Sequence, residues 1–344
     1  STVTPRLLAW QCFVMSVLQL HSALSTRMPR EHAVMLCASF AAVPFLSINA
    51  SYAGTDHPLI CLELAAFLAI LGLIESPRPR RREWLIIGWL FGTALGVKYL
   101  GAFALLAAVV SLAAIPRFGA PAPFARIVLP AAACLPLAWL AKNWLFTGNP
   151  VHPYLFGHEG MDEETFRLHL LWAEEWKRSH SWFWGWAKIV PVSLTRGIYD
   201  SRGEALSPCL FFVFGLAAAC RKPLRAPDRW LAALCAVIYF AWSRAGGGIY
   251  RYLAPLYPAA FLLSGFLLSR TAGLARGAVT AALAVSLAVQ VPVLISAHRR
   301  QADAGSLFTG AETEREYLDC ILPPRGRYLG AMERGCTAAG GRLY

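Results

Sequence analysis

The sequence predicts an all-α polytopic membrane protein, and three observations carry that prediction. Of its 344 residues, 57% are hydrophobic and 15% are charged, a balance that excludes an ordinary soluble globular enzyme. The mean hydropathy is +0.48, and apolar runs recur from Leu7 to Ile295. About twenty such residues in a helix cross a hydrocarbon core roughly 30 Å thick. The net charge of +12 is divided among short basic clusters between those runs. Such clusters act as orientation signals, whereas a nucleic-acid surface needs one continuous basic patch.

Taken in order, spans are expected at 7–25, 32–50, 58–75, 84–115, 127–146, 205–220, 230–243, 251–269 and 277–296. At about 1.5 Å per residue the stretch 84–115 is too long for one crossing, so it is divided where Gly96, Lys98 and Gly101 stand. That makes ten crossings. The connections Arg27–Arg30, Arg78–Arg82, Arg117–Arg126, Arg221–Arg229 and Arg270–Arg276 are short and basic, which places them in the cytoplasm. Alternation then exports Asp56, the turn at Lys98, the segment 147–204, the link Gly246–Gly248 and the tail. The domains expected are a transmembrane region, 1–296, and an exported C-terminal tail, 297–344. The chain opens at Ser1 without a Met, and Leu7–Ser25 reads as a full span instead of a cleaved signal peptide, so a preceding natural N-terminus is expected.

The exported loop is long enough to be structured. Asp162-Glu163-Glu164 opens a segment in which Phe166, Leu170, Ala173 and Trp176 recur at helical spacing, and Lys177-Arg178 close it. Charges of that polarity suit the helix dipole and give an amphipathic helix on the membrane surface. The aromatic run Ser181–Trp186 reads either as an interfacial anchor or as a sugar-stacking platform. In the tail, Ala311–Tyr317 are expected to form a short helix of a small cap, and Cys320 and Cys336 are either a disulfide or two free thiols.

Ionisable groups at span ends are candidate functional residues, because the bilayer penalises them. Asp56-His57, Lys98, Lys142-Asn143 and Arg251 all map to the exported face. Each basic residue either snorkels to headgroups or binds an anion. Four such places on one face favour a cavity open toward the outer leaflet, with cations suited to a lipid-linked phosphate and an acid suited to proton transfer. Asp56 is either a cap for a helix starting at Pro58 or a chemical group; Glu63, deeper in the span, faces protein with its role open. His152 lies in the first turn of the loop. The sequence has no metal-ligand spacing, no phosphate-cradling glycine motif and no nucleophile elbow, so neither a metal nor another cofactor is expected.

Four strings carry a resemblance: Tyr52–Pro58, Gly96–Tyr99, Lys142–Pro153 and Arg251–Pro255. In residues, order and expected topology they resemble the GT-C membrane glycosyltransferases, notably the protein mannosyltransferase and aminoarabinose transferase branch, over nearly the whole chain. The resemblance implies an enzyme of the cell envelope that transfers a hexosyl or pentosyl group, with inversion, from a polyprenyl phosphate to a lipid, glycan or protein acceptor. It implies an integral protein of the bacterial inner membrane with its site facing the periplasm or exterior. By that resemblance Asp56 is the base on the acceptor, while Lys98, Lys142 and Arg251 hold the donor phosphate. His57, Asn143, His152 and Tyr252 are candidate substrate contacts.

One departure stands out. The family's principal acid lies in the first exported loop, and this sequence has no counterpart because it opens within what resembles the family's second or third span. Either a preceding segment carries that acid or the protein is an inactive relative. A competing class, a transporter or flippase of a lipid-linked sugar, calls for two corresponding halves, and the sequence has no such internal symmetry.

Overall fold

The computed structural model describes residues 3–50, 55–113, 115, 123–151, 162–163, 166–167, 223–245, 253–271 and 273–302. Among these residues the ordered elements are helices, with no strand. They are α1 (Val3–Ser25), α2 (Arg30–Ala41), α3 (Pro44–Asn49), α4 (Asp56–Glu75), α5 (Arg81–Val97) and α6 (Gly101–Leu112). A π-helical turn, Phe124–Val128, leads into α7 (Leu129–Thr147), followed by α8 (Ala226–Ala245), α9 (Leu256–Leu268) and α10 (Gly273–Ala302). The chain falls into two compact units, Ser1–Gln290 and Val291–Tyr344; of the second, the described residues are 291–302, and they are helical.

Among the described residues three helical stretches, Arg6–Ser25, Asp56–Glu75 and Phe124–Thr147, are long and apolar enough to cross a membrane. The protein is an integral membrane protein on that basis. The expected span 32–50 is two shorter helices. Pro44 opens α3 because its fixed φ suits a first helical turn, and it disfavours helical backbone at Val43, so α2 stops at Ala41. The stretch 84–115 divides at Lys98, whose backbone is extended at φ −160° and ψ 139°, with α6 starting at Gly101.

Lipid chains are as apolar as the side chains they touch, so close packing holds such helices together. α5 and α7 run side by side in the same direction with their backbones nearly touching. A Cβ on Gly92 would stand 2.7 Å from the Ala132 carbonyl oxygen, and one on Gly88 would stand 2.6 Å from the Ala131 Cβ. α1 and α4 also run in the same direction: Phe13 meets His57 edge-on at 5.2 Å, Gln19 reaches Cys61, and Arg27 pairs with Glu75. Phe67 of α4 packs against Phe91 of α5 and Trp230 of α8, and the buried Trp230 indole N–H donates to the Ala108 carbonyl of α6. α9 is apolar all round and buried at all of its residues, as a central helix must be. Phe40 of α2 and Phe45 of α3 flank it through Phe261 and Tyr257.

One end of this unit carries the basic connections. Arg27 holds Glu75 there, and its guanidinium lies 4.2 Å over the Phe266 ring near the end of α9. Two residues beyond α9, Arg270 reaches Asp228 at the start of α8 and donates to the Pro223 carbonyl at 2.6 Å. Asp228 also accepts the Arg225 backbone N–H at 2.8 Å, capping α8.

Candidate functional site

The opposite end brings three of the four strings together. α4 begins at Asp56, with Thr55 as its N-cap residue and no side-chain cap. Asp56 is therefore inside the first turn and is not the cap of a helix starting at Pro58. Its carboxylate gains from the positive end of the helix dipole. Across from it the Lys98 ammonium lies 2.5 Å from Asp56 Oδ1, with the two side chains 24% and 15% exposed respectively. The break between α5 and α6 makes this reach available, because an extended residue projects its side chain away from the helix that precedes it.

The third string joins through Tyr99. Asn143 of α7 donates from Nδ2 to the Tyr99 hydroxyl and to the Pro150 carbonyl, both at 3.3 Å. α7 then ends at Gly148, whose φ of 67° is the left-handed conformation that glycine adopts without strain. Asn149 is buried, and its Oδ1 accepts the Val151 N–H at 2.9 Å, closing an Asx turn over Pro150. The string from Lys142 to Val151 is thus a helix end folded back on itself and tied to the α5–α6 turn.

The other expected site residues fall in different places. His57 is buried, and its Nε2–H donates to the Leu46 carbonyl at 2.8 Å, which pins the start of α4 to α3. Lys142 is exposed, its ammonium 4.4 Å from the centre of the Trp139 ring. His152, Arg251 and Tyr252 lie outside the described residues, as do Cys320, Cys336, the aromatic run 181–186, the expected span 205–220 and the tail cap. Of the amphipathic segment, residues 162–163 and 166–167 are described, and the Phe166 N–H donates to the Asp162 carbonyl at 3.0 Å, a helical bond.

One feature of the site escapes a reading of the sequence. Tyr99 is the partner that carries Asn143, and its only sequence signal is its place beside Lys98 at the helix break. Glu63, expected to face protein, sits about two turns below Asp56 on the same face of α4, between it and Phe67. It is fully buried, and neither carboxyl oxygen has a hydrogen-bond partner among the described residues. No cluster of metal-ligating side chains occurs among the described residues.

Among the described residues the elements form a bundle of apolar helices, and this defines the class: a helical integral membrane protein. Among solved structures the chain is similar to ArnT from Cupriavidus metallidurans bound to undecaprenyl phosphate, with a TM-score of 0.57 at 17% identity. The likeness covers 87% of this chain and 50% of that one, so the chain spans about half the length of the neighbour it matches. At this identity the likeness shows the fold, which is GT-C-like, in keeping with the resemblance of the four strings. No protein-family model and no curated protein matches the chain.

Proposed function

We propose that the protein is a membrane glycosyltransferase that moves a hexosyl or pentosyl group from a polyprenyl-phosphate donor to an acceptor at the exported face. One observation carries the reading: Asp56 at the start of α4, Lys98 and Tyr99 at the α5–α6 break and Asn143 of α7 are joined by two contacts at one end of the bundle. The solved neighbour of similar fold holds undecaprenyl phosphate. In this reading the acceptor oxygen attacks the anomeric carbon as Asp56 takes its proton, and the carbon–oxygen bond to phosphate breaks with inversion. The phosphate leaves with the electron pair, and Lys98, Lys142 and Arg251 balance its growing charge. His57, Asn143, His152 and Tyr252 are the proposed substrate contacts. Neither metal nor cofactor has a step to perform.

The reading includes ten crossings, an exported loop 147–204, an exported tail 297–344 and a place in the bacterial inner membrane. The test is to reconstitute the protein in nanodiscs with a polyprenyl-phosphate-linked sugar and follow release of polyprenyl phosphate together with glycosylated acceptor. Release above protein-free discs is expected. Donor left intact while it crosses the bilayer of matched liposomes would replace the reading with a flippase.

A further inference from the structure

Resting on the lipid-phosphate reading, a further inference concerns the order in which the site assembles. The two roles assigned to Asp56 and Lys98 exclude one another in the observed geometry. An ammonium 2.5 Å from a carboxylate neutralises the base and is itself neutralised as an anion ligand. We propose that this ion pair is a latch opened by phosphate: an anionic phosphate ligand draws Lys98 off Asp56, and only then is the carboxylate free to act as a base.

The surroundings fit a latch better than a staple. Lys98 is the more exposed partner, and it stands on extended backbone at a helix break with a flexible four-carbon stem. Asp56 is held separately, in the first turn of α4, where the helix dipole continues to favour its charge after the lysine has left. The hydrogen bond from Asn143 to Tyr99 fixes the turn next to Lys98, so the side chain can move while the backbone stays in place. Acceptor activation therefore follows donor binding, which keeps an unmasked base away from water in the empty site.

A double-mutant cycle tests the latch independently of transfer. Undecaprenyl phosphate is titrated into the wild-type protein, Asp56→Asn, Lys98→Met and the double variant in nanodiscs, with inorganic phosphate as a second, lipid-free probe. Asp56→Asn is expected to bind the lipid about fivefold more tightly than wild type, the scale of releasing one partly exposed ion pair. In the Lys98→Met background the same change should have no effect. Glu31→Gln, which removes an exposed carboxylate at the basic end of the bundle, should leave wild-type affinity.

Equal tightening by Asp56→Asn with and without Lys98 would show plain repulsion and overturn the latch, as would tightening by Glu31→Gln or no tightening at all. A wild-type protein that binds neither probe also overturns it. The same cycle with inorganic phosphate assigns the latch to the phosphate group itself, whereas a response to the lipid alone assigns it to a headgroup delivered from the bilayer. A protein that shows the coupling and transfers no sugar keeps the latch and loses the transferase.

Discussion

At the basic end of the bundle, Asp228 receives Arg270 and a backbone N–H, while Arg270 also bonds the Pro223 carbonyl, and the two side chains are 2% and 11% exposed. At the opposite end, Asp56 receives a lysine, and the pair is 15% and 24% exposed. Both are acid–base pairs joining residues at the ends of neighbouring helices, yet their chemistry differs. A guanidinium is a rigid fork that fills several acceptors at once and locks a connection. An ammonium on a flexible stem makes a point contact that another anion can displace. On the proposed function, the difference teaches that ion pairs in this fold sort into those that hold helices and those that meet a ligand, and that the type of cation separates the two.

The largest expected effect tests the ligand end. On the proposed function, Asp56→Asn keeps the shape of the side chain and removes the base, so transfer should fall by roughly a hundredfold to ten-thousandfold. The protein should still elute as a single folded species. Transfer at the wild-type rate would remove Asp56 from the mechanism and make its pair with Lys98 a second staple.

Next comes the holding end. Arg270→Ala leaves a buried carboxylate without its cation, and breaking such a pair costs about 3–5 kcal/mol. The melting temperature in detergent should drop sharply while transfer per folded molecule stays near wild type. A variant that melts normally but loses transfer would reverse the assignment of the two ends.

Much of this arrangement is legible in the sequence, and the parts that are not share a cause. Hydropathy is local, so the apolar run of α4 and the break at Lys98 can be located from neighbouring residues alone. The break at Pro44 cannot, because a proline within an apolar run leaves hydropathy almost unchanged while ending one helix and opening another. His57 illustrates a second limit. Beside Asp56 it resembles a chemical group, yet its Nε2–H goes to Leu46, a carbonyl that composition cannot reveal. The Asp56–Lys98 pair itself joins positions 42 apart, and no periodicity links them. Alternating basic connections place both residues at one end; only packed helices bring them within bonding distance.

A smaller effect should come from Asn143→Ala. Its two hydrogen bonds are long at 3.3 Å, and each contributes about 1 kcal/mol at most to stability. Its larger consequence is positional, since it ties the end of α7 to the turn that carries Lys98. Transfer should fall about tenfold, because small displacements of positioning groups are amplified in rate. Tyr99→Phe, which removes one of the two bonds, should show part of the same loss in transfer. If Asn143→Ala melts lower and transfers normally, the Asn143 bridge belongs with the holding contacts.

The smallest effect sharpens the comparison at its boundary. Arg27 and Glu75, at 32% and 38%, are more exposed than the Asp56–Lys98 and Asp228–Arg270 pairs, and exposed pairs contribute about 0–1 kcal/mol. The guanidinium also lies over Phe266, which adds about 0.5–1 kcal/mol. Arg27→Lys keeps the charge but loses the planar fork and most of the stacking, so it should destabilise nearly as much as Arg27→Ala. High salt weakens only the exposed ion pair, so it should narrow the gap between wild type and Arg27→Ala without closing it. A lysine that fully restores the melting temperature would show that charge alone holds this junction. The type of cation would then no longer distinguish the two ends, leaving burial as the physical difference between a helix staple and a ligand site.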